Sequence, residues 1–123
     1  MHLDPKNALA LWHAVTLAGI ARDQPDLTTR QMAVLLHVYL AEPPHTVRGL
    51  ADALNASKPA ITRAIDRLSA HQLVRRKRDE SDRRNVLVQR TVQGSVFLRE
   101  FGDMAARAAH GLEARDQAPM SGV

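Results

Sequence analysis

Thr46 and Ser57 each open a helix-like stretch, and the second opens only eleven residues after the first, in TVRGLADALNASKPAITRAIDRLSAHQL. This spacing constrains the fold more than any other feature of the chain. Thr46 offers a capping oxygen to VRGLADALN, and Asn55 stands where a helix commonly leaves in left-handed conformation, which Asn tolerates better than most residues. Ser57 is the next cap, with Pro59 in the first turn, where a missing N–H costs nothing. Two short helices joined by so tight a turn define a helix-turn-helix unit.

The second of these helices has two unlike faces. At 100° per residue, Ile61, Ala64, Ile65 and Leu68 fall on one side and form a core-facing stripe. Pro59, Arg63 and Asp66 lie opposite, flanked by Thr62 and Arg67. The outward face therefore begins with Ser57 and Lys58 and continues through Thr62, Arg63 and Arg67. A helix N-terminus favours phosphate, and Arg can contact guanine with two parallel bonds in the major groove. Taken alone, these arginines would read as ordinary solubilising residues.

The segment after the helix changes that reading. The stretch RRKRDESDRR (75–84) holds six basic and three acidic residues between the strand-like segments VRRK and NVLVQ. From Lys58 to Arg90 there are ten Lys or Arg against four Asp or Glu, while the remaining ninety residues carry seven against nine. The net charge of +4 thus arises in one third of the chain. A basic hairpin beside a basic helix makes nucleic acid the first candidate partner. The expected architecture is mainly α with a small β-hairpin wing, a winged helix-turn-helix of about five helices.

The flanking segments supply the other helices. Asp4 and Pro5 start a first helix carrying Leu9, Trp12 and Val15, which runs to about Arg22. Thr28 and Gln31 have capping-box spacing before Met32, Leu35, Leu36, Tyr39 and Leu40. The prolines of EPPH (42–45) stop that helix. Thr91 caps a last helix with Phe97, Phe101, Met104, Ala105, Ala108 and Leu112 at three- and four-residue steps. The expected organisation is an N-terminal helix and linker (1–26), a winged domain (27–91), a C-terminal helix (92–113) and a flexible tail (114–123). A monomeric winged domain needs only part of this apolar surface. Leu9, Trp12, Val15, Phe97, Phe101, Met104, Ala108 and Leu112 are therefore the expected faces of a homodimer.

From Leu27 to Gly94 the chain resembles the MarR family of transcriptional regulators. The likeness is carried by LTxxQ at 27–31, LAxxL at 50–54, SKPAITR at 57–63 and, most specifically, RDESDRR at 78–84. The resemblance implies a homodimer on a pseudo-palindromic double-stranded operator, with any small-molecule effector unspecified. It also implies roles by position. Lys58, Pro59, Ala60, Thr62 and Arg63 would read bases and contact phosphates, and Arg84 would enter the minor groove. Asp82 would hold the wing in shape by a local charge-assisted bond, presenting Arg83 and Arg84. Thr46, Ser57, Arg67 and Arg78 complete the expected DNA-binding set. Two departures stand out: Arg90-Thr91 replaces the family's usual Leu-Thr, and the C-terminal region is short for a family that pairs through two helices there.

Other classes receive little support. No cysteine is present, which removes disulfide, thiol-nucleophile and cysteine-redox chemistry and suits a reducing compartment. The run ALALWHAVTLAGIA (8–21) is too short to span a bilayer and follows Asp4 rather than basic residues, so the expected location is cytoplasmic. The six histidines form no HxxH or HExxH pattern, and no cofactor, metal site or enzymatic motif is expected. Trp12 and Tyr39 read as core residues before they read as walls of an effector pocket. The alternatives to a specific regulator are a winged-helix protein-interaction module and a weakly specific architectural DNA binder.

Overall fold

Each helix begins after a residue able to accept a hydrogen bond from the N–H groups that a first turn leaves open. In the computed structural model, which describes the backbone of residues 3–117 and side chains through residue 114, the elements run α1 (Pro5–Ala21), α2 (Thr29–Leu40), α3 (Val47–Ala53), α4 (Lys58–Ala70), β1 (Val74–Arg78), β2 (Val86–Arg90) and α5 (Val92–Gln117). Asp4, Thr28, Thr46 and Ser57 cap the first four, and the capping box of α2 is formed on both sides. Thr91 Oγ1 accepts from Gly94 at the start of α5. The architecture is thus mainly helical, five helices with one antiparallel hairpin.

The chain divides into two compact units, residues 27–98 and a second formed by residues 1–26 with 99–123. In the first, α2, α3, α4 and the hairpin enclose Val34, Leu35, Val38, Leu50, Ile61, Ile65, Leu68, Val74 and Val88. The stripe read from the sequence of α4 is buried throughout, with Ala60 added to it. On α2 the register differs. Val34 and Val38 join Leu35 in the core, whereas Leu40 is 81% exposed, because the stripe ends before the helix does.

Two non-glycine residues adopt positive φ, Asn55 (50°) between α3 and α4 and Gln72 (62°) between α4 and β1. Asn55 was legible from its residue type. Gln72 was not, since the left-handed position after α4 is filled by a residue with no special aptitude for it. The hairpin pairs Val74 with Arg90 and Arg76 with Val88. His45 and Thr46 lie along the other edge of β2: Val88 donates to the His45 carbonyl at 2.8 Å, and Thr46 bridges Leu87. β2 is therefore paired on both sides.

Tyr39 ties α2 to the base of the hairpin. Its hydroxyl donates to the carbonyls of Leu73 (3.0 Å) or Thr91 (3.1 Å) and accepts from Thr91 N–H at 2.9 Å. Gly94 is required here: a Cβ would sit 1.9 Å from the Tyr39 hydroxyl and 2.2 Å from the Leu73 carbonyl. Arg90 stands where the resemblance leads to the expectation of Leu. Its Nε donates to the Val38 carbonyl at 2.9 Å and Nη2 to that of Ala41 at 3.2 Å, with the guanidinium 5.7 Å from the centre of the Tyr39 ring. The arginine closes the C-terminal end of α2, where carbonyls lack intrahelical partners and a positive charge is favoured. His45, buried beside it, donates from Nε2 to the Ala41 carbonyl at 3.2 Å and meets His37 edge to face. Burial is the main influence holding its pKa below the usual histidine value.

In the second unit, the half-buried residues of α1, among them Ala10, Leu11, Ala14, Val15 and Ala18, share one face. Phe101, Met104, Ala105, Ala108, Ala109 and Leu112 are half-buried on one face of α5, and Arg22 pairs with Glu100 at 3.4 Å. The helix continues to Gln117, beyond the expected start of a tail at 114. The rest of that expected tail, residues 118–123, lies outside the described residues.

Candidate nucleic-acid interface

The outward face of α4 is built by the same periodicity that buries its other side. Ser57, Lys58, Pro59, Thr62, Arg63, Asp66 and Arg67 are all exposed. Among the described residues, Lys58, Arg63 and Arg67 make no hydrogen bond or ion pair, so their charges stand uncompensated on one surface. Ser57 Oγ accepts from Ala60 N–H at 3.2 Å, which commits it to the cap. Ala60 is a correction to the expected set. Its side chain is 8% exposed and belongs to the core, because it lies on the Ile61–Ala64 side of the wheel. Thr46 is likewise engaged, with Oγ1 accepting from Gly49 N–H at 2.9 Å.

Backbone alternation sorts the hairpin's cations. Val74, Arg76 and Arg78 share one face of β1, and Arg75 and Lys77 the other. Arg75 Nε donates across the sheet to Gln89 Oε1 at 3.1 Å. Arg76 turns onto α4, where Nη2 donates to the Asp66 carboxylate and, at 3.4 Å, to the Thr62 carbonyl. Lys77, Arg78 and Arg83 are exposed and without a bonded partner among the described residues.

Two of the three acids of the tip, Asp79 and Asp82, are consumed in making the turn, and Glu80 is exposed. Asp79 accepts from Ser81 N–H (3.0 Å), Ser81 Oγ (2.7 Å) and Asp82 N–H (3.3 Å). Asp82 accepts the Arg84 N–H at 3.1 Å and grips the guanidinium through Nε (3.1 Å) and Nη2 (3.2 Å). Both carboxyls are held below the usual carboxylate range, Asp79 chiefly by the Ser81 hydroxyl and Asp82 chiefly by the Arg84 side chain. The local bond expected of Asp82 is therefore present, and Arg84, with 84% of its side chain exposed, is steadied rather than hidden.

The expected pairing face needs further correction. Phe97 is 5% exposed and packs within the winged core, so it cannot face a second copy. Trp12, expected on the pairing face and also read as a core residue, is 71% exposed, which removes the core reading. With Leu9 (70%) and Ile20 (74%) it forms a stripe on the side of α1 opposite its half-buried face. Ile20 and the neighbouring Leu17 were missed because the first helix is apolar on all sides, and one-sided periodicity is the signal such a reading relies on. Among the described residues no cluster of His, Asp or Glu could hold a metal ion, and no helix is long and apolar enough to cross a membrane.

Helix, tight turn, second helix with an uncompensated basic face, and a hairpin with a cationic tip together define a winged helix-turn-helix. A model of the MarR family matches residues 26–85, and the winged helix-turn-helix of this chain belongs to that family. Solved structures share the fold. Apo MarR from E. coli superposes with a TM-score of 0.65 at 24% identity, covering 92% of this chain and 78% of that one. A MarR mutant from E. coli complexed with operator DNA gives 0.65 at 24%, covering 92% and 75%. The MepR–DNA complex from S. aureus gives 0.65 at 17%, covering 90% and 82%. No curated protein matches the sequence.

Proposed function

We propose that the protein is a sequence-specific, double-stranded DNA-binding transcriptional regulator of the cytoplasm, acting as a homodimer on an inverted-repeat operator. The observation that carries this reading is the run of unpaired cations on the outward face of α4, Lys58, Arg63 and Arg67, beside a tip in which Asp79 and Asp82 are spent on its own turn. In this reading α4 enters the major groove, with Lys58 on phosphate and Arg63 on a base edge. Pro59 and Thr62 contribute the short, close-fitting surface between them. Arg84 reaches the minor groove, and Arg78 and Arg83 lie along the backbone. Asp82 acts through Arg84 and does not itself touch DNA. The operator-bound relatives support the mode of binding, and the chemistry of the face makes an enzyme the poorer description.

The test is equilibrium binding to duplex from upstream of the protein's own gene and to random duplex across a salt series. Log K should fall with log salt at about −0.9 per phosphate contact, several contacts giving a steep line. The upstream duplex should bind more tightly at every salt concentration. A flat line on both would remove DNA as the partner and leave a protein-binding module. A steep line with no preference would leave an architectural binder.

A further inference from the structure

Between Lys58 and Arg78 the sequence holds a single acidic residue, Asp66, and it stands on the outward face of the helix proposed to read DNA. An acid there opposes binding to a polyanion unless something offsets it. The offset comes from the hairpin. Arg76 is two residues beyond Val74 on the inner face of β1, where the core ends and the surface of α4 begins. Its Nη2 donates to the Asp66 carboxylate and to the Thr62 carbonyl at 3.4 Å, two acceptors one helical turn apart. The same guanidinium thus crosses from the wing to the turn that carries Thr62 and neighbours Arg63.

We propose that Asp66 and Arg76 form a specificity pair, an inference that rests on the DNA-binding function proposed above. Arg76 is a positioning residue that braces the wing against the recognition helix. Asp66 is a counter-charge that withholds the arginine from phosphate. Sequence-independent affinity grows with the number of cations that neutralise phosphates, whereas base reading depends on how the reading side chains are held. A neutralised bridge contributes to the second without adding to the first. Lys58, Arg63 and Arg67 have no such partner, so on the face of α4 the damping is confined to the Asp66–Arg76 bridge, and the other acid-paired cation of the hairpin, Arg84, is held by Asp82 at the tip.

Four proteins separate charge from geometry: wild type, Asp66→Asn, Arg76→Gln and the double variant, with Asp66→Ala as a second removal of the acid. Each is titrated against the upstream and the random duplex over a salt series, and thermal unfolding checks that each remains folded. Relative to the wild type, Asp66→Asn adds one net positive charge to each half-site and Arg76→Gln removes one. The expected result is that Asp66→Asn steepens the salt slope by about 0.9 per half-site and tightens binding to random duplex several-fold at low salt. Its preference for the upstream duplex should narrow. Arg76→Gln should make the slope shallower. The double variant should return to the wild-type slope yet keep a reduced preference, because the charge balance is restored and the brace is not. If the wild type is steep and selective but Asp66→Asn and Asp66→Ala alter neither slope nor preference, this inference is overturned and the regulator reading stands. If the wild type binds no duplex, both fall together.

Discussion

Arg90 stands at the end of a strand where the resemblance led to the expectation of an apolar residue, and its contacts explain how an arginine is accommodated. A leucine there would contribute only packing. The arginine instead closes the open carbonyls of Val38 and Ala41 and rests its guanidinium near the Tyr39 ring. It thus fastens the base of the wing to α2 at a point where the diproline segment has already stopped the helix. Arg90→Leu should lower stability by about 1 to 2 kcal/mol, the scale of lost hydrogen bonds to a charged donor in a partly exposed setting. Urea unfolding at neutral pH would measure it, and an unchanged midpoint would mean that packing by leucine replaces those bonds in full. The sequence exposed the substitution but not its purpose, because a residue fifty positions away supplies the acceptor. Ala60 and Phe97 were misread for a related reason. A motif names positions, whereas burial depends on which side of each helix the neighbouring elements cover.

At the scale of the element, α4 and the wing were the most legible parts of the chain. The α4 stripe repeats at helical spacing, its cap and first-turn proline lie in sequence order, and the turn before it depends on the residue type at 55. The hairpin was legible as charge between two strand-forming runs. Its inner pairing was less so: that Arg76 rather than Arg75 turns toward α4 follows from Val74 being the buried residue of β1, since alternation puts Arg76 on the same face. The two elements should also be separable in their effects on binding. Arg63→Ala should relax sequence preference, at a cost of about 1–3 kcal/mol if the side chain makes a bidentate base contact. Arg84→Ala should weaken most duplexes, and A·T-rich flanks most, since a narrow minor groove attracts arginine. A panel of operator variants titrated with each protein would tell them apart. Equal and sequence-independent losses from both would show that α4 does not read bases.

For the whole molecule, the helix hardest to classify from sequence is the one with the most to say. A helix apolar on every side is stable in water only when both sides are covered. The half-buried face of α1 runs from Ala10 through Ala18, yet Leu9, Trp12 and Ile20 remain more than two-thirds exposed on the other. With Phe97 assigned to the winged core and Val15 on the half-buried side, the exposed part of the expected pairing surface is Leu9 and Trp12 of α1, extended by Ile20. Phe101, Met104, Ala108 and Leu112 are half-buried rather than free. A second copy packed on the Trp12 stripe would cover it, and two-fold pairing could set the two recognition helices about 34 Å apart, one turn of DNA. Sedimentation at micromolar concentration should therefore report a dimer, and Trp12→Asp should give folded monomers with much weaker binding to an inverted repeat. Leu9→Asp should act in the same direction, because both side chains lie on one stripe. Wild-type protein that remains monomeric both free and on DNA would refute pairing through α1 and leave the winged helix-turn-helix intact.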